Sequence, residues 1–423
     1  MVVMRRLNIK NLKISWPLLI NIIGLIVSAI LQSRAFMIGF LSAICFVWIL
    51  KKPVTYRSKI KTRLIIASFF IAVIFLLSYY VKQDSSAGRM LIYKISWQML
   101  KEHWVYGTGL GTFGHAFLNY QADYFAKGKY TIKELLLADN TKHAFNDYLQ
   151  WVIETGIFGF FLLVTALLLL IFSFSRVIKI YSDHPDLLII AISLQINILA
   201  AASFTHVFEI IYFQLSFIIS LSIVTYYIFM LQRKELFLML LSLSVILLGL
   251  NYYRIVIGYR NYKKMDDAKM LYSIGFIHKA LQNCEVIYPQ LHYDAMFLSL
   301  YSDILITSGN SSKALYVLKE LLKIDNSYFF HIRLAECCQQ TKDLTGAEKE
   351  YIIAINMVPN RFISRYKLFQ FYCNIGKKEE ALTTAYRIFH LPVKIPSEEI
   401  KAIKVSVQSE LANRNWNDNR GIK

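Results

Sequence analysis

Residues 155–175 read TGIFGFFLLVTALLLLIFSFS, without a single charged side chain. A helix of about 20 apolar residues spans the hydrocarbon core of a bilayer, so this stretch predicts a membrane crossing. Six further apolar runs stand at 14–33, 35–50, 64–81, 187–205, 210–231 and 236–253. After residue 253 the apolar runs stop, and Lys, Glu, Asp and Asn return at the frequency of a soluble protein. The expected fold is all-α. A polytopic bundle of about seven transmembrane helices fills 1–253, interrupted by a large loop at 82–154, and a helical-repeat domain fills 254–423.

Composition agrees with that division. Of 423 residues, 56% are hydrophobic and 18% charged, too few charges for a soluble chain of this size. A net charge of +19 would suggest nucleic acid in a soluble protein. Here much of it flanks apolar runs, and no single basic face or aromatic platform is present, so no nucleic-acid partner is expected. The five cysteines, Cys45, Cys284, Cys337, Cys338 and Cys373, show no CxxC spacing. They read as small core residues rather than metal ligands. The first apolar run lacks a small-residue cleavage signature and reads as an anchor, not a cleaved signal peptide.

Basic residues in short loops set orientation. The segment between the second and third runs holds Lys51, Lys52, Arg57, Lys59, Lys61 and Arg63 and no acid, and is expected to be cytoplasmic. Arg5, Arg6, Lys10 and Lys13, then Arg176 and Lys179, then Arg233 and Lys234 fit the same threading. The N-terminus is then inside, while 82–154, the 206–209 turn and everything after 253 are outside, which in a bacterium is the periplasm.

The C-terminal part repeats itself. Ala280, Ala314, Ala347 and Ala381 are spaced by 34, 33 and 34 residues. The turn pairs Gly309-Asn310, Lys342-Asp343 and Gly376-Lys377 recur with spacings of 33 and 34, and Pro289, Pro359 and Pro392 fall near the ends of the expected second helices. This is the tetratricopeptide pattern, and it predicts three to four repeats over about 260–395. Such solenoids bind protein partners.

Segment 82–154 is too polar to cross a bilayer and too long for a connector. It carries Ser86-Ala87-Gly88-Arg89, an amphipathic stretch to Trp104, Tyr106-Gly107-Thr108-Gly109-Leu110-Gly111-Thr112-Phe113, and His143-Ala144-Phe145-Asn146-Asp147-Tyr148-Leu149-Gln150, leading into Glu154-Thr155-Gly156. The glycine run lacks the GxGxxG spacing and the βαβ pattern of a dinucleotide site.

These motifs resemble those of the O-antigen ligase and O-antigen polymerase superfamily of membrane glycosyltransferases. That family shows an Arg after a span, a Gly-x-Gly-x-Gly-aromatic turn, and a His-containing stretch leading to Leu-Gln and Glu-Thr-Gly. Ser33-Arg34-Ala35 matches its Ser-Arg-small turn, and His206-Val207-Phe208-Glu209 a later His-x-x-Glu turn; the resemblance covers about 21–232. It implies a glycan donor on undecaprenyl pyrophosphate and inverting transfer to an acceptor hydroxyl on a lipid A-core, a glycan or a protein at the periplasmic face. Neither metal nor cofactor is implied, and membrane lipids are the surroundings. Family members usually have ten or more spans. Seven here predict a reduced member, or a fragment made by a late start codon or a gene break.

The residue types suit that chemistry. A pyrophosphate leaving group is stabilised by guanidinium groups, for which Arg34 and Arg89 are the candidates. A hydroxyl nucleophile needs a group that takes or orients its proton, for which His143 is the candidate; His206 and Glu209 are secondary. Charge counting puts all five on one side of the membrane. Each has a plainer reading: Arg34 as an interfacial anchor, Arg89 as a surface charge, His143 as a helix-start polar residue, His206 with Glu209 as a structural pair. Glycines 107, 109 and 111 are expected to shape a turn, and Trp104, Tyr148 and Trp151 an interfacial belt. The competing function is a non-catalytic envelope assembly protein whose repeats recruit partners.

Overall fold

The computed structural model describes residues 15–50, 83–180, 186–229 and 258–416, which are helical and contain no strand. In chain order the first helices are α1 (Trp16–Ile30), α2 (Arg34–Leu50), α3 (Gln83–His103), α4 (Phe113–Ala126), α5 (Ile132–Leu137), α6 (Asp147–Ile180), α7 (Asp186–Ala202) and α8 (Ile211–Phe229). Then come α9 (258–273), α10 (Ile277–Leu291), α11 (Ala295–Thr307), α12 (Ser311–Ile324), α13 (Tyr328–Gln340), α14 (Leu344–Met357), α15 (Phe362–Asn374), α16 (Lys378–Phe389) and α17 (Glu398–Asn413). They fall into two compact units. The first comprises Met1–Ser86, Ala144–Val152 and Ile157–Ser244; the second comprises Ala87–His143, Ile153–Gly156 and Val245–Lys423.

The first unit is built on close helix approach. Ala35, Gly39, Ala43 and Val47 recur every four residues on one face of α2, and all are buried. Small residues at that spacing let backbones come together without side chains between them. A Cβ on Gly39 would stand 2.6 Å from the Asn197 carbonyl oxygen of α7. Gly24 of α1 likewise leaves room for the Phe40 ring. Ile198, Ala201, Ala202 and Val207 close one cluster with Ala35; Leu188, Ala191, Ile192 and Val224 close a second.

Of the seven expected spans, one is present at full length among the described residues. Asp147–Phe174 is long and apolar enough to cross a membrane, and only 6% of its apolar window is buried. Phe158, Phe161, Leu162, Leu168, Leu169, Ile171 and Phe172 lie exposed along it. A core helix of a soluble protein would hide such side chains, whereas lipid is a good solvent for them. Trp16–Ile30, Arg34–Trp48, Asp186–Ala202 and Ile211–Tyr227 are apolar but shorter. They correspond to the expected runs 14–33, 35–50, 187–205 and 210–231; the runs 64–81 and 236–253 lie outside the described residues.

The second unit contains the repeats, as four helix pairs: α9 with α10, α11 with α12, α13 with α14, and α15 with α16. Each pair turns in the same way. Gly275, Gly309, Lys342 and Gly376 have φ of 87°, 80°, 64° and 76°. At each, the next residue donates its N–H back to a carbonyl five residues earlier: Phe276 to Leu271, Asn310 to Leu305, Asp343 to Cys338, Lys377 to Tyr372. This is the six-to-one bond of a helix stop whose turn residue is left-handed. Ala280, Ala314, Ala347 and Ala381 are each the fourth residue of the second helix and have no exposed surface. Cys284, Cys337, Cys338 and Cys373 are buried free thiols, and burial pushes Cys284 up to about 12.

Residues 87–143 belong to this same unit. Helix α4 packs along α14, and buried Gln121 donates to the Met357 and Asp139 carbonyls at 2.5 and 2.9 Å. Lys94 Nζ ties three loop helices together, reaching Tyr124 Oη and Glu134 Oε1, both at 2.7 Å. Thr131 and Glu134 form a capping box at the start of α5.

Candidate active site

The glycine turn and the Glu-Thr-Gly motif form one interlocked structure. Gly109 donates to the Glu154 carbonyl and Thr108 to that of Ile153, both at 2.9 Å. The Glu154 carboxylate, 7% exposed, accepts from Gly111 N at 2.9 Å and Phe113 N at 3.1 Å. It therefore sits on orphan donors at the start of α4, where the helix dipole also favours a negative charge. Gly107 and Gly156 face each other across the contact. A Cβ on Gly107 would enter the Glu154 carbonyl, and one on Gly156 would enter that of Val105. Gly156 also breaks the helical run of α6, with φ 65° and ψ −152°, a region open only to glycine. The turn expected at glycines 107, 109 and 111 is thus present, with φ of 72°, 108° and 72°.

The segment after His143 is fastened to the His206–Glu209 turn within the first unit. Asn146 Oδ1 accepts from Leu149 N at 3.0 Å and caps α6. Asp147 Oδ2 accepts from Phe208 N at 3.0 Å. Gln150 accepts from Ala144 N at 3.0 Å and donates to Glu209 Oε1 at 2.5 Å. Tyr148 Oη donates to the Leu199 carbonyl at 2.7 Å. Phe145 stands in the left-handed region at φ 54°, its ring edge-on to His206 at 5.6 Å. A bulky residue there costs on the order of 1 kcal/mol, which the surrounding hydrogen bonds offset.

Arg34 opens α2 just after the α1–α2 turn, where Gln32 has φ 52°. Its guanidinium reaches Ser86 Oγ at 3.5 Å, the outer limit of a hydrogen bond. Arg89 is half-buried one turn further along α3. Burial pushes the Tyr93 phenol up, and the Arg89 charge opposes that rise from one helical turn away. His143 is half-buried and follows Lys142, whose Nζ pairs with Asp325 at 2.8 Å.

The five candidates thus divide. Arg34, His206 and Glu209 belong to the first unit, Arg89 and His143 to the second. The sequence reading quoted Asp147, Gln150 and Glu154 inside motifs without giving them roles. They prove to be the residues that fasten those motifs. Their partners lie 41 to 61 positions away in sequence, a separation that no local pattern encodes.

Comparison with known proteins adds a family. Residues 19–164 match the family model described as O-antigen ligase. Arg34, Arg89 and His143 fall within that range; His206 and Glu209 lie beyond it. A comparison with curated proteins found no match. Among solved structures, the crystal structure of MamA protein is similar over 39% of this chain and 100% of its own, with 13% identity and a TM-score of 0.29.

Proposed function

We propose that the chain is a membrane glycosyltransferase of the O-antigen ligase kind, acting in cell-surface polysaccharide synthesis. The carrying observation is the family match over 19–164, which contains two arginines and a histidine suited to the reaction. The donor is a glycan on undecaprenyl pyrophosphate. An acceptor hydroxyl oxygen attacks the anomeric carbon as the bond to the pyrophosphate oxygen breaks, with inversion. His143 takes the hydroxyl proton. Arg34 and Arg89 stabilise the charge on the departing lipid pyrophosphate. His206 and Glu209 are secondary candidates for orienting the acceptor. The acceptor is a lipid A-core, a glycan or a protein hydroxyl.

The seven-span bundle, the cytoplasmic N-terminus and the periplasmic repeats belong to this reading. The exposed apolar surface of α6 supports a membrane setting. That 87–143 and the repeats share one compact unit supports their lying on the same side of it.

The test is transfer from a lipid-pyrophosphate glycan in membranes. His143→Ala is expected to lower kcat at least a hundredfold, in line with losing a general base. Unchanged turnover would remove His143 from the mechanism.

A further inference from the structure

Two corners of the repeat array reach out to the loop. The first, Asp325-Asn326, connects α12 to α13; the second, Asn360-Arg361, connects α14 to α15. Asn326 and Asn360 are 34 residues apart, one repeat period, so they hold equivalent places in successive repeats. Both spend their amide hydrogens on the loop. Asn326 Nδ2 donates to Asn119 Oδ1 at 2.7 Å and to the His115 carbonyl at 3.3 Å, both on α4. Asn360 Nδ2 donates to the Leu136 and Ala138 carbonyls at 3.0 and 2.7 Å. Each asparagine has a charged neighbour that reaches the same loop. Asp325 pairs with Lys142 at 2.8 Å, and Arg361 pairs with Asp139 at 3.1 Å.

The first corner is itself held from behind. Asn326 is 3% exposed, and its Oδ1 lies 2.7 Å from His331 Nε2. The other ring nitrogen is 2.6 Å from Glu350 Oε2. With the amide hydrogens turned to α4, Asn326 Oδ1 can only accept, so His331 Nε2 carries a proton. The asparagine amide is thereby locked in one orientation, aimed at α4.

We infer that these two corners form a clamp that positions His143, and that Asn326 and Asn360 are positioning residues. This rests on the catalytic reading of His143 given above. The Asp325-Asn326 corner grips both sides of the turn that ends at His143. Asn326 holds α4, and Asp325 holds Lys142, the residue before His143. The Lys142 backbone lies against α4 as well, with its carbonyl oxygen 3.0 Å from where a Cβ on Gly114 would stand. The Asn360-Arg361 corner fixes 136–139, the other end of the strand-like run that leads to His143. The repeat array is on this account an internal scaffold for the loop.

The experiment uses the full chain in lipid nanodiscs. It reads amide hydrogen exchange by mass spectrometry alongside kcat and KM for transfer from a lipid-pyrophosphate glycan. Asn326→Asp keeps the acceptor facing His331 but loses the donor to Asn119. It is expected to speed exchange at least tenfold across 113–126 and to lower kcat at least tenfold. KM and the exchange of 277–291 should stay within twofold. Asn119→Asp keeps an acceptor for the Asn326 amide and is expected to stay within twofold of wild type on every readout. Should Asn326→Asp loosen the repeats themselves, Asn119→Ala breaks the same bond from the loop side and takes its place. Unchanged exchange across 113–126 overturns the clamp, and faster exchange with unchanged kcat overturns its positioning role. Absence of transfer in the wild type would count against the proposed function alone, because exchange reads the clamp without it.

Discussion

Glycines with positive φ occur in both the repeats and the loop, for different reasons. At Gly275, Gly309 and Gly376 an added Cβ would meet open space. There glycine serves only the left-handed turn, and the fourth repeat turn manages with Lys342 at φ 64°. At Gly107 and Gly156 an added Cβ would meet backbone carbonyls. There glycine lets two backbone segments touch. The repeat turns are therefore tolerant in side-chain identity, and the loop contact is not. A helix stop can be restated every 34 residues with small changes, whereas two interlocked motifs can only change together.

Substituting both kinds of glycine tests this directly. Gly107→Ala and Gly156→Ala combine a left-handed backbone with a clash against main chain, which cannot rotate away. Each is expected to cost about 3 kcal/mol or more and to abolish transfer. Gly309→Ala is expected to cost about 1 kcal/mol and to leave transfer intact. Thermal unfolding in detergent and transfer in membranes check both. Equal effects at the two kinds of site would erase the distinction.

The same contrast explains what the sequence made legible. The repeats were readable because the alanine, the turn pair and the proline return at one spacing, and the buried Ala280, Ala314, Ala347 and Ala381 occupy the same helical position. The α1–α2 turn and the glycine turn were readable as turns. Their partners were not, because Glu154 reaches Gly111 and Phe113 across 43 and 41 residues. The corners at Asn326 and Asn360 carried a usable signal in their 34-residue separation. It was passed over because asparagine in a connecting turn has an ordinary explanation in turn chemistry. The apolar runs at 155–175 and at α1, α2, α7 and α8 were found as helices. Composition marks them as apolar, but helix length is set by capping and turns, so four of them are shorter than a full crossing.

Acid separates the two regions less sharply. Burial pushes the Glu134 carboxyl up, but the bonds from Lys94, the Thr131 backbone, Tyr124 and the Thr131 hydroxyl outweigh it and bring it to about 2. A carboxyl whose folded value is depressed stabilises the fold above its unfolded value of 4.5 and stops doing so as pH falls towards 2. The loop should therefore loosen between those limits. Its ion-pair partner Lys94 is well exposed, so screening reduces the effect to about 1 kcal/mol. Exchange across 131–137 should quicken as pH is lowered through this window, and Glu134→Gln should flatten the response. In the repeats, Glu348 is also held down, with burial opposing bonds from Lys377 and Tyr372, so exchange at 344–357 should change in the same direction.

The smallest expected effect concerns the one repeat turn that departs from glycine. Lys342 adopts φ 64° with a side chain that sterically disfavours it. The N–H groups of Lys342 and Asp343 still close the turn onto Gln339 and Cys338, at 3.1 and 2.9 Å, so the geometry is that of its three glycine counterparts. Lys342→Gly should remove the conformational cost and keep both bonds. Glycine also loses more backbone freedom on folding, which offsets part of the gain. The net stabilisation should be about 0.5 kcal/mol, read as slower exchange across 328–357 and a rise in unfolding temperature of about 1–2 °C. No gain would mean that the open turns are not limited by backbone conformation, and the tolerance ascribed to them would need another cause.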